Sequence, residues 1–74
     1  KDPDYKSRLI EWTQKNRIDI KFESEEEHIP GNKTPSFVST IRLNEDEKGT
    51  GHGDSKKEAE QQAAKAALKH VHTI

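Results

Sequence analysis

Seventy-four residues make one small domain and exclude a second core. No cysteine is present, which excludes disulfides and thiolate metal sites and fits a reducing, intracellular setting. No stretch approaches the roughly 20 apolar residues of a membrane span, and no signal-peptide pattern opens the chain. Composition, at 27 % hydrophobic and 36 % charged, leans toward disorder. Against that stand a net charge of only −1 and apolar residues that fall in periodic clusters. A core of this size leaves a margin of roughly 3–5 kcal/mol. The charge is polarised: acids gather at Glu23, Glu25, Glu26, Glu27 and at Glu45, Asp46, Glu47, and bases at Lys56, Lys57, Lys65 and Lys69. For a polyanion-binding function that distribution matters more than the sum. The abrupt opening at Lys1 reads as a piece of something longer.

The spacing predicts a helix over about 4–16. Asp2 or Asp4 can accept from the free amides of its first turn, Pro3 suits that turn, and Asn16 is a reasonable stop. Leu9, Trp12 and Tyr5 form an apolar stripe, and Ser7, Glu11 and Gln14 form a polar row at the same helical spacings. Ile18, Ile20 and Phe22 alternate with polar residues, so a strand is expected over about 18–27 with an exposed, glutamate-rich far end. Residues 28–35 are a loop by composition, with Pro30, Gly31, Asn32 and Pro35. A second strand is expected over about 36–43, with Phe37, Ser39, Ile41 and Leu43 on one face, and a turn over Asn44 to Glu47. Residues 47–53 carry glycine at 49, 51 and 53; a third strand there would let another backbone or a ligand come close. The last helix, about 55–72, opens with the S-x-x-E spacing of a capping box at Ser55 and Glu58. Ala59, Ala63 and Ala67 make a thin face beside Ala64, Leu68 and Val71, so the core's bulk must come from Leu9, Trp12, Phe22, Phe37 and Ile41. The order helix, three strands, helix is that of an α+β domain: a three-stranded antiparallel sheet with both helices on one face.

Chemistry concentrates at residues 49–59. A capped helix start offers free N–H donors and partial positive charge, which suits an anion. Lys56 and Lys57 sit in that first turn, where they oppose the helix dipole at about 0.3–1 kcal/mol each. Paired lysines at the unfavourable end point to an anion there, and phosphate is the obvious one.

The run Gly51-x-Gly53-x-Ser55-Lys-Lys-x-Ala59-x-x-x-Ala63-Ala64-x-x-Ala67-Leu68 resembles the signature of the double-stranded-RNA-binding domain family, over nearly the whole chain. The opening, Asp4-Tyr-Lys-Ser7-Arg-Leu9-Ile-Glu11-Trp-Thr-Gln14, is similar to the start of this domain in the bacterial ribonuclease III branch, and Glu60, where many other members carry lysine, agrees. The resemblance implies a three-part contact surface for double-stranded RNA. Ser7, Glu11 and Gln14 would meet 2′-hydroxyls in one minor groove. The loop bearing Asn32 and Lys33 would enter the next, and the start of the second helix, with Ser55, Lys56 and Lys57, would meet phosphates across the major groove between. His52, between two glycines beside that phosphate site, is a further candidate RNA contact by its position, against the plainer reading of an exposed surface histidine. Two positions depart from the family's habit: Lys33 stands where the loop often has histidine, and Ile10 where glutamine is frequent. The resemblance further implies a parent that cleaves double-stranded RNA in the bacterial cytoplasm, in RNA processing that includes ribosomal RNA. Its magnesium and its homodimerisation would belong to a separate catalytic domain. This domain itself is expected to be non-catalytic, with no cofactor, small-molecule substrate or membrane partner. The alternative is a module of the same fold serving protein–protein contact or dimerisation.

Other readings are weaker. His70 and His72 point to different faces of a helix and have no partner at metal-ligand spacing. The glutamates from Glu23 to Glu27 splay to both sides of an extended chain and cannot converge on a reacting atom. Trp12 lies on the core stripe, which argues against base stacking.

Overall fold

In the computed structural model, which describes residues 4–31 and 33–71, the elements run α1 (Tyr5–Lys15), β1 (Ile20–Glu27), β2 (Ser36–Leu43), β3 (Asp46–Gly53) and α2 (Lys56–Val71). The sheet is antiparallel in the order β1-β2-β3. The expected α+β architecture is therefore observed, with small shifts at the ends. Asp4 and Asn16 are caps of α1 rather than members, and Asn16 Nδ2 donates to the Trp12 carbonyl at 2.8 Å. Ile18 lies ahead of β1, its amide donating to the Thr13 carbonyl at 2.8 Å. His72, which the expected second helix includes, lies outside the described residues.

The turn after β2 is tighter than expected. Leu43 pairs with Asp46, so only Asn44 and Glu45 turn the chain, both at positive φ (51° and 71°). That is the twist a two-residue hairpin requires. The Asn44 side chain anchors it by accepting the Asp19 amide at 3.1 Å.

One face of the sheet carries Ser39, Ile41 and Leu43 inward, and α2 lies across it with Ala59, Ala63, Ala64 and Ala67 buried. The glycines of β3 are explained here. A Cβ on Gly49 would stand 2.5 Å from the Ala63 carbonyl oxygen, and one on Gly51 would stand 2.6 Å from the Ala59 carbonyl oxygen. Gly53 faces the Glu58 side chain and the Ala59 amide. It is therefore the backbone of α2 that comes close to this strand. The alanine ladder and the glycine ladder are two halves of one seam.

The core is smaller than the apolar residues suggest. Leu9 and Ile41 are fully buried as expected, but Trp12 and Phe22 are only partly covered against the cluster, and Phe37 is half-buried. Two polar residues fill the gap. Thr13 is fully buried and its hydroxyl donates to the Ile10 carbonyl at 2.8 Å; Ser39 is fully buried beneath Ser24, 3.1 Å away.

Candidate nucleic-acid interface

The two helices lie side by side in the same direction. The first turn of α1 meets Glu60 and Gln61 of α2, while Trp12 and Lys15 share a groove with Leu68 and Lys69. Ser7, Glu11 and Gln14 are all exposed on α1; Ser7 lies near the start of α2, and Glu11 and Gln14 run along the groove toward Lys65 and Lys69.

The α2 start is a capped tip. Ser55 Oγ accepts the Glu58 amide at 3.2 Å, as the capping-box spacing predicts. Glu58 returns the bond one residue further out than expected, accepting the Asp54 amide at 2.7 Å instead of that of Ser55. Lys56 and Lys57 occupy the first turn and are exposed. The α1 start is capped by Asp4, whose Oδ1 accepts the Ser7 amide at 3.1 Å and whose Oδ2 accepts the Ser7 hydroxyl at 2.8 Å.

Asp4 is the meeting point of the two tips. Its carboxyl is held below its ordinary 3.8 first by the Ser7 hydroxyl, then by the Ser7 amide, the Gln61 amide and the positive charge of Lys57. Gln61 Nε2 donates to Asp4 Oδ1 at 3.2 Å, and Lys57, one helical turn before Gln61 on α2, is thereby brought toward the end of α1 that carries Ser7. Of the α1 row, Ser7 is the member nearest the lysine pair; Glu11 and Gln14 lie further along α1, facing Lys65 and Lys69.

Of the other expected residues, Lys33 is exposed in the β1–β2 loop, and Asn32 lies outside the described residues. His52 sits opposite Val38, on the sheet face away from the helices, and its Nε2 is 3.8 Å from Glu27 Oε1. No described contact joins it to the lysine pair. The glycines are also separated from the phosphate reading, because α2 occupies the space they leave.

Three features escaped the sequence. Ile29, 43 % exposed, is the large apolar side chain left to solvent among the described residues, and it stands in the same loop as Lys33. An open groove between the helices joins Glu11 and Gln14 to Arg8, Lys15, Lys65 and Lys69, which extends positive charge along the α1 row. Glu60 and Gln61 contact α1, and no local spacing signals a bond to a partner more than fifty residues away. Among the described residues no group of three or more His, Cys, Asp or Glu is placed to hold a metal, and no helix is long and apolar enough to cross a membrane.

A family model described as the double-stranded RNA binding motif matches residues 5–71. The chain belongs to that family. Its resemblance to the ribonuclease III branch of double-stranded-RNA-binding domains is also borne out. It is 42 % identical over 71 residues to Ribonuclease 3 of Bacteroides thetaiotaomicron, covering 96 % of this chain and 23 % of that protein. It is 50 % identical over 66 residues to Ribonuclease 3 of Shouchella clausii, covering 88 % of this chain and 25 % of that protein. The domain thus spans about a quarter of the length of these curated relatives. Among solved structures, the second double-stranded-RNA-binding domain of DRB4 superposes with a TM-score of 0.64 at 29 % identity, covering 86 % of this chain and 89 % of that one.

Proposed function

We propose that this domain grips double-stranded RNA by shape and backbone and serves as the substrate-holding part of a ribonuclease III-type endoribonuclease. Family membership and relatives named Ribonuclease 3 support the reading. The observation that carries it is the shared position of the two tips around Asp4, which lets one rigid body meet a minor groove and the adjoining phosphates together.

In this reading Ser7, Glu11 and Gln14 contact 2′-hydroxyls, which B-form DNA lacks. The β1–β2 loop, with Asn32, Lys33 and Ile29, enters the next minor groove. Lys56 and Lys57 meet phosphates across the major groove between, helped by the free amides at the Ser55-capped tip. Domains of this family as a class span about 16 base pairs and read shape more than sequence. The domain carries out no chemistry. Strand cleavage, the magnesium it needs and homodimerisation belong to a separate catalytic domain, working in the bacterial cytoplasm. Tethering keeps the bound duplex at high local concentration beside that active site.

A titration of the domain against a 24-base-pair RNA duplex, the same sequence as DNA, and single-stranded RNA tests this at about 50 and 200 mM salt. The RNA duplex is expected to bind tightest at both. Equal affinity for the RNA and DNA duplexes would refute hydroxyl and A-form reading.

A further inference from the structure

We propose that Lys6, Glu60 and Gln61 are positioning residues. They clamp the first turn of α1 to the second turn of α2, and so fix the separation between the hydroxyl-seeking row and the lysine tip. This rests on the duplex-RNA reading above and adds which residues set its geometry.

A helix start leaves its first amides without intrahelical partners. In α1 the Ser7 amide is taken by Asp4, but the Lys6 amide is taken by Gln61 Oε1 of the other helix, at 3.2 Å. The same Gln61 side chain donates through Nε2 to Asp4 Oδ1, also at 3.2 Å. One residue of α2 thus caps α1 and holds the capping residue of α1 in place.

Glu60 holds the other side of the same turn. Its Oε1 lies 2.7 Å from Lys6 Nζ, and its Oε2 lies 3.4 Å from Ser24 Oγ of β1. Ser24 in turn rests on the buried Ser39 of β2. The Lys6 ammonium also stands 5.1 Å over the Phe22 ring. The Glu60 side chain is 20 % exposed and that of Lys6 40 %, so this pair is less screened than one in open water. Lys57 precedes Glu60 by three residues and Gln61 by four, so all three share one edge of α2. The clamp therefore sits one helical turn from the phosphate-binding end.

An acid near a phosphate surface has a simpler expected effect, which is repulsion of RNA. The two roles predict opposite signs. If Glu60 only repels, Glu60→Gln raises affinity and steepens the salt dependence. If it positions, the same change lowers affinity even though it removes a negative charge.

The experiment measures the wild type, Glu60→Gln, Gln61→Ala and the exchange Lys6→Glu with Glu60→Lys, each shown folded by circular dichroism, against matched RNA and DNA duplexes. Gln61→Ala changes no charge. It should weaken RNA binding roughly five- to tenfold, the scale of lost pre-organisation, and narrow the RNA-to-DNA ratio with an unchanged salt slope. Glu60→Gln should weaken binding severalfold, and the exchanged pair should recover to within about twofold. Tighter binding by Glu60→Gln, or an unaltered RNA-to-DNA ratio in Gln61→Ala, overturns the proposal. If Gln61→Ala does not fold, Glu60→Gln and the exchange decide by the same signs. A wild type that ignores duplex RNA removes the underlying reading as well.

Discussion

Gly51→Ala is expected to remove a large share of this domain's stability. The added methyl would stand 2.6 Å from the Ala59 carbonyl oxygen and 2.6 Å from the Gln62 carbonyl carbon, and would also meet the Ala63 amide. All three are helix backbone, so no rotamer change can make room. Optimal separation for such contacts is about 3.5–4.0 Å, and β3 and α2 would have to part by roughly an ångström along the seam. Overpacking costs about 1–3 kcal/mol and sometimes more, against a total margin of about 3–5 kcal/mol. At about 4–8 °C per kcal/mol for a chain this size, the melting temperature should fall by roughly 5–25 °C. Thr50→Ala, one residue away but exposed, should stay within about 0.5 kcal/mol of wild type. Thermal and urea denaturation followed by circular dichroism measure both. Similar stabilities for the two variants would mean that the glycine–alanine seam is not where the helix and sheet are held.

Replacing both Lys56 and Lys57 with alanine should leave the fold intact and remove much of the RNA affinity. Both are exposed in the first turn of α2, where their charge works against the helix dipole, and relief of that opposition offsets the loss of the weak attraction between Lys57 and Asp4. Each phosphate contact contributes nearly one unit to the slope of log affinity against log salt. At about 0.15 M salt that amounts to roughly fivefold per lysine and roughly thirtyfold for the pair. The slope should flatten by about two units, equally for RNA duplexes of different sequence. Fluorescence titration across four salt concentrations gives both quantities. A weaker affinity with an unchanged slope would place these lysines away from phosphate.

The element order was legible because most elements bury a periodic face. Leu9 and Trp12, the alternation of Phe22 and Ile41 with polar neighbours, and the alanine rows of α2 each reveal a buried side. β3 was nearly hidden for a physical reason. Its inward positions face helix backbone, so they are glycines, and a strand without inward side chains has no alternation to read. Thr13 gives no sign of burial in the sequence, while Ser39 follows the inward face of Ile41 and Leu43; both are buried with hydroxyl partners. The turn at Asn44 and Glu45 is two residues shorter than its composition suggests, because glutamate gives no hint of positive φ.

The interface divides in the same way. The polar row and the lysine pair follow from helical spacing and a capping signature, both local. How the two helix starts stand to each other depends on the parallel run of α1 and α2, which Asp4, Lys6, Glu60 and Gln61 maintain through bonds between distant parts of the chain. His52 shows the limit of proximity in sequence. Three residues before Ser55, it nonetheless belongs to the outer sheet face, because strand alternation sends it there with Val38.

Nuclear magnetic resonance of the isotopically labelled domain during titration with a 24-base-pair RNA duplex tests most directly that one duplex engages both tips. Signals from Ser7, Glu11 and Gln14 on α1 and from Lys56 and Lys57 on α2 should shift together along a single binding curve, while those of the outer sheet face at Val38 and Thr40 stay in place. Shifts confined to one helix, or two curves with separate midpoints, would contradict a single surface built from both.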